Sequence, residues 1–126
     1  MENVEKLRNL RDLLLKQHKT LIDHERQNLE MLHGPMTPAG FLNVLIEDED
    51  FAWLRKFSML IVEIDEMFAQ RDGYESAMID ASIAKVEELV DPNIGDDSFN
   101  AKYDFSMSVL PEAADLNKEI KELLAQ

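Results

Sequence analysis

The sequence contains no cysteine. Disulfides, thiol nucleophiles, iron–sulfur clusters and cysteine-type zinc sites are therefore excluded, and the chain suits a reducing compartment such as the cytoplasm. Glycine and proline occur four times each, too sparsely for a Walker-type or Gly-x-Gly-x-x-Gly phosphate loop. No Gly-x-Ser-x-Gly nucleophile elbow is present either. No unbroken apolar run exceeds the length of Met59–Val62, far short of the roughly 20 residues that cross a bilayer. The opening residues Met1-Glu2-Asn3-Val4-Glu5 are polar and acidic and lack the basic start and apolar follow-on of a signal peptide.

Positive charge is also scarce. Thirteen basic residues face 26 acidic ones, for a formal net charge of −13. Arg55/Lys56 and Lys118/Lys121 stand dispersed among acids, so no basic face exists to neutralise phosphates, and neither nucleic acid nor an anionic membrane is an expected partner. An acidic surface also suits mimicry of DNA or docking on a basic partner, but it more often serves solubility alone.

What is present is helical periodicity. With 126 residues, 45% of them hydrophobic, the chain has the common size of one domain, 1–126, and buries roughly two-thirds of its unfolded surface on folding. Val4, Leu7, Leu10, Leu14, Leu21, Leu29 and Leu32 recur at three-, four- and seven-residue intervals. They predict a helix over about 3–32 that stops at His33-Gly34-Pro35. At 1.5 Å per residue that helix is about 45 Å long, long enough to edge a bundle or reach toward a partner. Thr37-Pro38 reads as an N-cap followed by a first-turn proline, opening a short helix over 39–47.

The acidic stretch 47–50 reads as a turn that sets negative charge at the next helix start. The following helix, about 50–70, carries Trp53, Phe57, Leu60, Ile64 and Met67 at heptad spacing, with Leu54, Ile61 and Phe68 widening the stripe. So apolar a helix is expected at the centre of the domain, with Trp53 and Phe57 in the core. Asp72 and Glu75 read as a capping box for a fourth helix that ends at Asp91-Pro92. A loop with Pro92, Asn93 and Gly95 follows. Phe99, Tyr103 and Leu110 suggest a short helix, although 103–109 also reads as extended, and the conformation of 98–110 stays open. Pro111 opens a last helix. The fold expected is all-α, a four-helix-type bundle with one or two additional short helices.

One row departs from this apolar pattern. Arg11, His18 and Glu25 fall seven residues apart, beside Leu7, Leu14 and Leu21. Ionisable groups on a core-facing row are costly unless paired, and Asp65, at the edge of the third helix's stripe, is the natural partner. Arg11, His18, Glu25 and Asp65 therefore form the candidate ligand-binding cluster, able to hold a small molecule, a metal or an acid/base pair. The competing reading is a structural network that fixes helix register, or a row at a subunit contact.

Dedicated metal motifs are missing. Glu30 and His33 make one Glu-x-x-His unit, whereas di-iron carboxylate bundles need two. No two histidines stand four apart, as a His-Glu-x-x-His zinc site requires, and 91–97 lacks the spacing of an EF-hand loop. No catalytic, metal or cofactor residue is assigned.

The segments His18-Lys19-Thr20-Leu21-Ile22-Asp23-His24-Glu25-Arg26 and Phe51-Ala52-Trp53-Leu54-Arg55-Lys56-Phe57, continuing through Ser58-Met59-Leu60-Ile61-Val62-Glu63-Ile64-Asp65-Glu66, give the chain a resemblance. It resembles a group of small all-helical bacterial proteins with no assigned activity. The likeness holds up to about Gly73 and weakens beyond. It implies a bacterial, helical protein and nothing about mechanism.

The function expected is a non-catalytic protein-interaction or regulatory helical module that self-associates or binds another protein. The alternative is a small-molecule- or metal-binding bundle, with or without catalysis, built on the polar cluster.

Overall fold

The computed structural model describes residues 2–91, 93 and 96–126. Met1, Pro92 and Gly95, which figured in the reading of the start and of the fourth connector, lie outside them. The described residues form six α-helices and one 3-10 turn, with no strand, which makes the protein all-α. The helices are α1 Glu2–His33, α2 Pro38–Glu47, α3 Ala52–Phe68, α4 Ser76–Val90, α5 Asp97–Val109 and α6 Pro111–Leu124, with the 3-10 turn at Glu49–Phe51.

Local chemistry sets most of the boundaries. Gly34, at φ 86°, gives α1 a left-handed exit that residues with a Cβ adopt only at a cost, and its N–H reaches the Glu30 carbonyl at 2.8 Å. The Thr37 hydroxyl accepts from the Gly40 N–H at 3.0 Å, capping α2 ahead of Pro38. The acidic turn is a short helix in its own right, capped by the Asp48 carboxylate on the Asp50 N–H.

At α4 the expected cap is corrected. Glu75, not Asp72, is the N-cap, and Met78 Sδ accepts from the Glu75 N–H at 3.5 Å. Gly73 at φ 82° and the edge-on packing of Tyr74 against Phe68, 5.1 Å between centroids, hold the chain in a turn until Glu75.

Long-range contacts fix the directions. Asp65 meets Arg11 and Leu54 meets His18, so α3 runs antiparallel to α1. Ala113 meets Gln17 and Leu124 meets Lys6, so α6 does too. Asn3 bonds Asp80 at 2.9 Å near the start of α4, which returns parallel to α1. The expectation that α3 is central holds: seven of its residues are buried, and it borders α1, α2, α4, α5 and the 3-10 turn, with Met59 and Val62 on its outward side. The longer α1 borders α3, α4 and α6.

The core is one cluster drawn from α1, α3, α4, α5, α6 and the 3-10 turn. At one end it becomes aromatic. Phe57 lies 5.6 Å from Tyr103 and 5.9 Å from Phe99, with Trp53 edge-on to Phe99. These contacts bind α5, helical throughout 97–109, to α3.

Beyond Leu21 no residue of α1 is fully buried. Glu25 still faces Trp53 and Phe105. The last two turns or so beyond it are flanked by α2, where Arg26 lies over the Phe41 ring and donates to the Met36 carbonyl at 2.8 Å, and Leu29 packs partly buried against the core.

Candidate functional site

Residues seven apart on a helix stand two turns, about 10.5 Å, from one another. Against an antiparallel neighbour each one meets a different level, and this is how the row Arg11, His18, Glu25 is distributed. Arg11 sits opposite the C-terminal half of α3, where Nε and Nη2 donate to Asp65 Oδ1 and Oδ2, both at 2.9 Å. The guanidinium and carboxylate match as a bidentate fork, and the remaining Nη1 donates to Asp12 Oδ1 at 3.4 Å.

One level down, His18 stacks on Phe57 at 6.2 Å and 25° and faces the Leu54 carbonyl. Burial pushes the imidazole's pKa below its ordinary value, and that carbonyl pulls partly the other way. A further level down, Glu25 lines a groove of about 470 Å³ with Asp50, Trp53, Lys102 and Phe105. Lys102 donates to the Asp50 carbonyl at 3.1 Å. Burial raises the Glu25 carboxyl above the usual range, while His24 and Lys102 act to lower it. Among the described residues no hydrogen bond or ion pair reaches the Glu25 carboxylate.

Arg11 and Asp65 are thus brought together, and His18 and Glu25 each face separate surroundings. No cluster of three or more metal-ligating side chains exists among the described residues. Glu30 of the Glu-x-x-His pair accepts from the Met36 N–H at 2.9 Å, so the α1–α2 connector takes up that carboxylate.

The fully buried polar residue of α1 is one the sequence reading passed over. Gln17 donates through Nε2 to Tyr103 Oη at 3.0 Å and to the Ala113 carbonyl at 2.9 Å. Tyr103 in turn donates to Asn117 Oδ1 at 2.9 Å. Gln17 Oε1 is buried without a partner. Burial pushes the Tyr103 phenol up to about 12, against the opposing effect of the Gln17 hydrogen bond. The signal was present, since 10, 14, 17 and 21 are themselves helix-spaced and put Gln17 in the middle of the leucine stripe. This network ties α1 to α5 and α6.

Chemically, then, the groove offers a half-buried acid beside aromatic rings, with Ser106 also in its lining and its hydroxyl donating to the Lys102 carbonyl. No helix of the described residues is long and apolar enough to cross a membrane. Comparison of the chain with protein-family models, with curated proteins and with solved structures finds no match.

Proposed function

We propose that the protein is a non-catalytic interaction module that binds another protein chain at the end where α1 outruns the bundle. The observation that carries this reading is a pair of leucines. Eighteen residues make five full turns, so Leu14 and Leu32 share an azimuth. Leu14 is 0% exposed and Leu32 is 78% exposed. The azimuth that builds the core therefore ends on an uncovered leucine, and its sequence neighbour Met31 is 84% exposed. Apolar side chains that fold nothing mark contact surfaces when they gather.

The absence of cysteine and the resemblance to bacterial proteins favour the cytoplasm of a bacterium as the setting. Self-association is the second reading, favoured by the outward pair Leu42 and Ile46 of α2, which lies at the same end.

A thermal-shift screen against metals and metabolites tests the module reading. The expected result is no stabilising compound. A compound whose effect vanishes in both His18→Ala and Glu25→Ala would replace this reading with that of a small-molecule site. Light scattering over a range of concentrations separates a monomer that awaits a partner from a dimer.

A further inference from the structure

We infer that the Glu25 groove and the uncovered stripe of α1 receive a basic amphipathic helix from another protein, one of whose lysines or arginines meets Glu25. The inference rests on the module reading and adds the chemistry of the partner. Four observations converge on it. Groove and stripe lie on one side of α1, because Leu32 stands two turns beyond Glu25 on nearly the same azimuth, a spacing that matches successive apolar positions of a docking helix. The groove has apolar walls, with Trp53 at its base and Phe105 65% exposed.

Glu25 is a half-buried carboxylate without a bonded partner, and a cation brought into such a site meets a charge already stripped of part of its water. The surroundings are mostly acidic as well, since residues 23–50 hold seven carboxylates and a single arginine, and Lys102 in the groove lining already donates to the Asp50 carbonyl. Arg26 is engaged with Glu30 and the Met36 carbonyl.

The same charge argues against a second copy as the occupant. The chain carries −13 overall, and its Lys-bearing helix α6 intersperses Lys118 and Lys121 with Glu119 and Glu122. A dimer formed through this end sets carboxylates against carboxylates.

The chain supplies its own reporter, because Trp53 is the only tryptophan. The full-length protein is titrated at physiological ionic strength with a synthetic leucine–lysine amphipathic helix of about five turns, and separately with its glutamate-for-lysine counterpart. The expected result is a saturable change in Trp53 emission with the lysine peptide alone. Glu25→Gln and Leu32→Ser should each weaken binding about tenfold, equivalent to about 1.4 kcal/mol. Glu119→Gln, which removes the same unit charge from an exposed site outside the groove, should weaken it less than twofold.

All three substitutions fall on side chains outside the buried core, and circular dichroism verifies that the variants are folded. Equal losses in Glu25→Gln and Glu119→Gln, no Trp53 response, or binding of the acidic peptide as strong as that of the basic one would overturn the inference. So would a dimer that Leu32→Ser dissolves, although the module reading would survive that result. A metabolite site dependent on His18 and Glu25 would remove the module reading itself.

Discussion

At the scale of single residues, burial and pairing decide what each polar side chain does. Gln17 Nε2 donates to Tyr103 Oη and the Ala113 carbonyl and more weakly to Met107 Sδ at 3.7 Å, while its amide oxygen is buried and unmet. An unmet acceptor costs about as much as a hydrogen bond contributes, so Gln17→Met is expected to change stability by less than about 1 kcal/mol. Gln17→Glu puts a carboxylate against the Ala113 carbonyl and should destabilise by about 3 kcal/mol or more. Chemical denaturation of the two variants checks both.

His18 and Glu25 give opposite pH dependences. The folded state holds His18 below its ordinary 6.5, so the unfolded chain binds the proton first and stability declines as pH falls through that value. His18→Gln should flatten the slope between about pH 7 and 5. Glu25 is raised above 4.5, so its cost is present at neutral pH and disappears as pH falls to the ordinary value. Glu25→Gln should therefore raise the Tm at pH 7 and leave it unchanged near pH 4. Aligned charges were legible from spacing alone. Their separation was not, because the register of an antiparallel neighbour assigns each to a different level.

At the scale of elements, the helices that the sequence announced are those bounded by local chemistry. Gly34, Thr37-Pro38 and Pro111 act through their own backbone preferences, and the structure uses each as read. The sequence signals α5 only weakly because its buried face, Phe99, Tyr103 and Ser106, spends one of three positions on a serine whose hydroxyl bonds the Lys102 carbonyl at 3.0 Å. Its amphipathic signal is faint, and the helix depends on aromatic contacts with α3. The α4 cap was misplaced because two acidic residues stood at suitable spacing, and only the turn through Gly73 selects between them. A Cβ at Gly73 meets nothing within 4 Å, so Gly73→Ala tests backbone conformation alone. It should cost about 1 kcal/mol, read as a lowered Tm.

At the scale of the whole molecule, an excess of 13 negative charges on 126 residues repels itself in the compact state. Ion pairs such as Lys85–Glu63 at 2.9 Å and Lys19–Asp23 at 2.8 Å lie at the surface, where each contributes little. Added salt screens the repulsion over the whole surface and weakens only these few attractions. Raising NaCl from about 0.01 M to about 0.5 M, which shortens the screening length from about 30 Å to a few ångströms, is therefore expected to raise the Tm. A Tm that falls would mean the attractive pairs dominate.

The unequal cover along α1 has a kinetic consequence. A single helix that is enclosed through Leu21 and only partly covered in its last turns does not open as a unit. Amide protons from about Leu7 to Leu21 should exchange with deuterium only when the entire molecule unfolds, whereas those from about Asn28 to His33 should exchange orders of magnitude sooner by fraying. Protection would then grade along a continuous rod, and a ligand seated on the last turns would slow the fast end while leaving the slow part untouched.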